Sequence, residues 1–254
     1  MDITRLHRVA GFVMLIALAR PGVASPATIT VLCSNGIRAV MLELVPEFER
    51  ATGHSVAITY GLSADLKRQI DKGEPFDIAI LTDVLIGDLI AQRKIEGATR
   101  AVLARSAIGL AIRAGATRPD IRTTDALKRT LRASTSIAFA SEGAGGVFFT
   151  ALMRQLGLVD DLKPRLRPTA TGAETSGAVA RGEVQLGVLP VSEILPVPGI
   201  EVLGTFPADV QGYTVMVAGI NPGAAQRAAA GDLIKFLASA AALPVLKRKG
   251  MERD

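Results

Sequence analysis

Apolar residues along this chain switch between two spacings, and the switching predicts a fold class. Thr28–Cys33 is a short, largely apolar run that reads as a strand. Directly after it, Ile37, Val40, Met41, Leu44, Val45 and Phe48 recur at intervals of three and four, one face of a helix. Pro46 stands inside that helix, and Thr52-Gly53 is its stop signal. Ser55–Tyr60 predicts a second strand, Leu62–Lys72 a helix ended by Gly73, and Phe76–Leu81 a third strand. Asp83 then caps a helix carrying Leu85, Ile86, Leu89 and Ile90. Such a succession predicts a parallel sheet covered by helices on both faces.

The second half continues in kind. Ser106–Ile112 reads as a strand, Thr124-Asp125 opens a helix through Arg132, and Ser136–Ala140 is the next strand. Gly145-Gly146 leads into a helix with Phe148, Phe149, Leu152, Met153 and Leu156 inward. A helix ends over Ala178–Gly182, and strands are predicted at Gln185–Leu189, Glu201–Phe206 and Tyr213–Val217. A long helix follows over about Ala224 to Ala240. No linker rich in Gly, Pro or Ser separates two independent units, so two lobes would have to be interwoven.

The beginning of the chain changes the picture of where it works. Arg5 and Arg8 precede the apolar stretch Val9 to Ala19, followed by Pro21, Gly22 and small residues through Ala27. That is the order of a secretory leader, and the stretch is shorter than the ~20 residues of a membrane span. Residues 1–27 are therefore expected to be a signal peptide, with the periplasm as the destination. Its loss removes three arginines and one aspartate, taking the formal charge from +5 to +3. The remaining Lys and Arg are scattered without a basic stripe, so no nucleic-acid partner is expected. Aromatics are 4% with no Trp, which argues against a stacking surface. Cys33 is the single cysteine, cannot form an internal disulfide, and reads as a small buried hydrophobe.

Motifs for catalysis are missing. Beyond the leader the chain has one histidine, His54, in a helix-to-strand turn that reads as solvated. There is no G-x-S-x-G elbow and no P-loop, and Gly143-Ala144-Gly145-Gly146 lacks dinucleotide-binding spacing. One Cys and one His do not make a common zinc site. The expectation is a chain that catalyses nothing and holds neither metal nor cofactor.

Four segments share one design in which a strand ends and small or hydroxyl residues lead into a helix. They are Cys33-Ser34-Asn35-Gly36, Gly61-Leu62-Ser63-Ala64-Asp65, Glu142-Gly143-Ala144-Gly145-Gly146 and Thr169-Ala170-Thr171-Gly172-Ala173-Glu174. Carboxyl ends of strands form the crevice of an α/β sheet, and helix N-termini there present free N–H groups suited to an anion. Each segment is equally an ordinary helix cap. Glu142 and Glu174 stand beside two of these turns and would repel a dianion if they faced the crevice.

Ile29-Thr30-Val31-Leu32, Glu47-Phe48-Glu49-Arg50-Ala51-Thr52-Gly53, Gly61–Leu66 with Gln69-Ile70, Phe76–Ile80 with Asp83, and Gly182–Val188 form an ordered set of blocks. In that order they resemble the periplasmic molybdate-binding proteins of ABC importers, from about Ile29 to Gly250. The resemblance implies an α/β, two-lobed type II periplasmic-binding-protein fold, each lobe a mostly parallel sheet flanked by helices. It places one lobe at residues 28–107 and 212–254 and the other at 108–211, hinged at strands near Ser106–Ile112 and Tyr213–Val217. The family holds its oxyanion with two serines, backbone N–H groups and a tyrosine. Ser63 matches one serine, the other falls on Gly36 with Ser34 and Asn35 beside it, and the tyrosine falls on Pro190. Backbone donors fall near Ala144, Gly145 and Gly172. The implied function is capture of an oxyanion, molybdate or tungstate, by a monomer that delivers it to an inner-membrane ABC permease. Two alternatives stay open: a different small polar or organic ligand, or a ligand sensor feeding a membrane signalling protein. A third, an exported enzyme on the same scaffold, would need a polar cleft holding His54 against a nucleophile.

Overall fold

Strand β1 (Thr28–Ser34) explains why the sheet is covered twice. Its alternate residues Ile29, Val31 and Cys33 pack on one face with Met41, Leu44 and Phe48 of α1 (Arg38–Thr52). Leu32 points the other way, onto Leu66 and Ile70 of α2 (Ser63–Asp71) and Ile86 and Leu89 of α3 (Asp83–Ala91). These observations come from a computed structural model that describes residues 26–253. The leader expected over residues 1–27 lies, but for its last two residues, outside the described residues.

Between α1 and α2 runs β2 (Ser55–Gly61), and between α2 and α3 runs β3 (Ile78–Thr82). The chain continues through β4 (Ala101–Arg113), α4 (Thr124–Ala133), β5 (Ile137–Ala140), α5 (Ala144–Gln155), α6 (Val159–Leu162) and β6 (Leu166–Thr169). It ends with α7 (Gly172–Arg181), β7 (Leu186–Pro190), α8 (Val191–Ile194), β8 (Ile200–Thr205), β9 (Tyr213–Ile220), α9 (Arg227–Leu237) and α10 (Leu243–Arg248). The strands form one path, β2-β1-β3-β9-β4-β7-β5-β6, with β8 paired to β4.

β2, β1 and β3 pair in parallel, as do β7, β5 and β6. Both groups join through antiparallel pairings of β9 and β4. β4 is thirteen residues long, and its first half pairs with β9 while Ile108–Ala111 pairs with β7. It passes from one half of the molecule to the other. The second half has its own cores. Ile108, Leu110 and Ile112 of β4 pack with Leu127, Leu131, Phe149 and Leu152, while Ala111, Ala138 and Val179 pack on the opposite face.

Element ends follow local chemistry. α1 stops at Gly53, which adopts φ 74° and donates its N–H to Glu49 O at 2.9 Å. α7 starts on Thr171, whose hydroxyl accepts from Glu174 N at 3.1 Å, and stops at Gly182 with φ 75°.

Three expectations need correction. β4 begins five residues before the predicted Ser106, because Ala101–Arg105 also pairs with β9. The helix expected over about Ala224 to Ala240 is α9, three residues shorter at each end, and it is followed by an unexpected 3₁₀ turn at Ala240–Ala242 and by α10, with Pro244 in its first turn. His54 is buried rather than solvated: Nδ1 accepts from Ala27 N at 3.2 Å, and its ring stacks on Phe48 with centroids 6.1 Å apart.

Candidate functional site

A cavity of about 510 Å³ opens between the two halves, at the carboxyl ends of the parallel strands. The turn after β1 gives it Ser34, Asn35 and Gly36, and α2 gives it Ser63 and Ala64. Asp83 and Val84 come from the start of α3, Gly143 to Gly146 from α5, and Gly172 from α7. The first residues of several helices therefore wall one space, and their N–H groups are those without intrahelical acceptors. Between these polar rims lie Leu62, Leu85, Phe148, Leu189 and Met216. All eight residues expected at the ligand, Ser34, Asn35, Gly36, Ser63, Ala144, Gly145, Gly172 and Pro190, line this cavity.

The two serines are set by the backbone. Ser34 Oγ accepts from Gly36 N at 3.3 Å, and Ser63 Oγ accepts from Thr82 N at 3.3 Å. Neither hydroxyl donates to an acceptor among the described residues, so each keeps its hydrogen for a ligand. Pro190 has no N–H and ends β7, where its ring lies 3.3 Å from the position a side chain on Gly145 would take.

Charge in the cavity is balanced unevenly. Among the described residues its lining has no Lys or Arg but three carboxylates: Asp83, Glu142 and Glu193. Asp83 is paired with Arg100 at 2.6 Å. Glu142 receives both terminal nitrogens of Arg68 at 2.9 Å, a contact that crosses the cleft from α2 to the loop after β5. Glu174 is not among the cavity residues and accepts from Ala170 N at 3.0 Å, one residue before the helix cap Thr171.

Glu193 stands apart from the other two. It is the third residue of α8, and it has no hydrogen bond or ion pair among the described residues. Its Oε2 occupies the space a Cβ on Gly172 would need, 2.1 Å away, and its Oε1 lies 3.7 Å from that of Gly36. Desolvation pushes its carboxyl up to about 7. Ser192, next to it, donates Oγ–H to Gly36 O at 2.9 Å, and its N–H goes to Ser106 Oγ at 3.0 Å. These bonds fix α8 against the opposite half at the floor of the cleft. Glu193 was absent from the residues expected from sequence. The available signal was a carboxylate three positions past a strand that ends in the crevice, in Pro190-Val191-Ser192-Glu193.

Cys33 is buried beneath the β1 turn, and burial raises its thiol well above the usual range. No group of three or more His, Cys, Asp or Glu among the described residues could hold a metal ion.

Two half-sheets joined by long strands, with a ligand-sized cleft between helix starts, are the architecture of the type II periplasmic-binding-protein fold. The chain belongs to the bacterial extracellular solute-binding protein family, whose model matches residues 29–252. Among relatives, an aconitate isomerase of Pseudomonas sp. is 33% identical over 98% of this chain and 97% of its own. The molybdate-binding protein ModA of Escherichia coli strain K12 is 25% identical over 80% of this chain and 81% of its own. The periplasmic molybdate-binding protein of Azotobacter vinelandii shares the fold, with TM-score 0.75 at 21% identity over 89% of this chain and 99% of that one.

The isomerase corrects one expectation. A relative that spans nearly the whole chain is named as an enzyme, so a chain that catalyses nothing is no longer the reading. The missing histidine, nucleophile and metal motifs exclude particular chemistries. They leave proton transfer by a carboxylate untouched.

Proposed function

We propose that the cleft binds a small polycarboxylate of the aconitate class and interconverts its cis and trans isomers. The carrying observation is the cavity itself, in which helix starts on both halves face one another across an apolar middle. A branched carbon skeleton with carboxylates at its ends matches that distribution: anionic ends at free N–H groups, carbon at Leu62, Phe148 and Met216. The Ser34 and Ser63 hydroxyls add donors, and Arg100 and Arg68 neutralise Asp83 and Glu142. The relative named aconitate isomerase supports the same substrate class.

The chemistry asks little of the protein. A methylene group between a carboxylate and a carbon–carbon double bond has an acidified proton. Removing it gives a carbanion spread over three carbons, and returning it at the other end moves the double bond. The protein must hold the carboxylates, stabilise the developing charge and supply a base. In this reading the lobes are residues 28–107 with 212–254, and 108–211, closing by a hinge over a substrate met in the periplasm after export.

A second reading is capture of molybdate or tungstate for an ABC permease, favoured by the two serine hydroxyls and the ModA relative. Against it stand Pro190 and Gly36, where the resemblance calls for hydroxyl donors, and the unpaired Glu193 carboxylate. One experiment separates them. The purified protein is incubated with cis-aconitate or trans-aconitate, isomers are quantified by chromatography, and thermal shifts are recorded with both, with molybdate and with tungstate. Convergence of both isomers on one mixture is expected, with a shift of about 5 °C or more at 100 times the dissociation constant. A shift with molybdate or tungstate alone, and unchanged aconitate, refutes the first reading in favour of the second.

A further inference from the structure

The cleft contains one carboxylate whose position the binding reading does not use. Asp83 and Glu142 are each neutralised by an arginine, at 2.6 Å and 2.9 Å. Glu193 has no partner at all among the described residues, yet it lines the main cavity and also a second one of about 290 Å³. Its carboxyl fits only because residue 172, which opens α7, is a glycine: a Cβ there would lie 2.1 Å from Glu193 Oε2. Ser192 on the same turn is anchored to Gly36 and Ser106. The carboxyl is thus held at the floor of the cleft with nothing of the protein's own to bind.

We propose that Glu193 is the catalytic residue that moves the proton, taking it from the methylene carbon of the bound polycarboxylate and returning it to the far carbon of the three-carbon unit. This rests on the reading that the cleft holds such a substrate. In the first step a C–H bond breaks and an O–H bond forms on Glu193, with the electron pair delocalised over the allylic carbons. In the second, that O–H bond breaks and a C–H bond forms at the other end as the double bond shifts. Atoms and electrons balance without oxidant, reductant or cofactor. Because one carboxyl serves both ends, the substrate presents both carbons on the face toward α8.

The surroundings suit the role. Besides Glu193, the charged groups lining the two cavities are Asp83 on α3, Glu142 after β5 and Arg38 on α1. Arg38 lies over the Tyr60 ring at 4.9 Å, and the two acids are engaged by Arg100 and Arg68. Desolvation, with no neighbouring charge, brings the Glu193 carboxyl to about 7, where a base and its conjugate acid are both populated near neutral pH.

The test is Glu193→Gln, which keeps size and removes the base. Expected is a fall in kcat of about a hundredfold or more, with the dissociation constant for trans-aconitate, from thermal shift, within about threefold of wild type. Wild-type kcat should fall below a pH of about 7, and this second measurement stands even if the variant does not fold. An active wild type with E193Q turning over within about threefold of it, or with level kcat from about pH 5.5 to 8.5, overturns the role of Glu193 while leaving the substrate reading intact. A wild type that leaves both isomers unchanged overturns the substrate reading and this role together.

Discussion

Glu193 carries a stability signature that can be measured without any ligand. Its carboxyl titrates at about 7 in the folded chain against 4.5 in the open one, because burial disfavours the charged form. A raised carboxyl means that the folded state holds the proton more tightly. The associated stability is fully present below pH 4.5 and is lost as pH rises through 7. The separation corresponds to about 3 kcal/mol, a ceiling because the side chain still meets water in the cavities. Glu193→Gln cannot ionise, so its advantage over wild type should grow from near zero at pH 4, through about 1 kcal/mol at pH 5, to as much as about 3 kcal/mol at pH 8.5. For a chain of this size that is a difference in midpoint of roughly 6–12 °C. Urea unfolding of both proteins across this range, without ligand, provides the comparison. Surface pairs such as Asp120–Arg122 titrate identically in the two proteins and cancel. Parallel stability curves for wild type and E193Q would refute the claim that this carboxyl is desolvated.

Four other outcomes follow from particular contacts. Gly146→Ala would place a Cβ 1.9 Å from Ala140 O, where α5 meets the end of β5, and should cost about 1–3 kcal/mol or more in a urea titration. Thr214 Oγ1 is buried without a partner, so Thr214→Val should leave stability unchanged or raise it by about 1 kcal/mol, read from the urea midpoint. The Arg68–Glu142 pair is about half exposed on both sides, and a double-mutant cycle should give a coupling below about 1 kcal/mol that fades at high salt. Cys33, buried with its thiol raised, should react with a thiol reagent in the native protein no faster than the protein opens, followed by absorbance of the released product.

Much of the fold was legible because strands and helices announce themselves at different periods. Ile29, Val31 and Cys33 against Leu32 is a pattern of period two, and Met41, Leu44, Val45 and Phe48 one of period 3.6. What escaped was short or polar. β6 reads Leu-Arg-Pro-Thr, an edge strand whose proline needs no ladder partner on its outer side. α8 has four residues, too few for any periodicity. The burial of His54 depends on Ala27, half a lobe away in sequence, and no local pattern reports it.

The site divides along the same line. Backbone-lined turns were legible because small and hydroxyl residues recur at four places where a strand leads into a helix, and those residues do meet at one cavity. Glu142 and Glu174 adjoin these turns in sequence, but one pairs with Arg68 and the other accepts from Ala170 N ahead of its own helix. Glu193 has no glycine beside it in sequence; Gly36 and Gly172 reach it only through the fold. Gly36, where the resemblance calls for a hydroxyl, is glycine for a reason of its own. A side chain at 36 would meet Met216 Cε at 2.8 Å, whereas the space a side chain at 172 would need is the one the Glu193 carboxyl occupies. Gly172→Ala, placing a methyl on the Glu193 oxygen, would then disturb turnover of a polycarboxylate far more than the strength of the helix it opens.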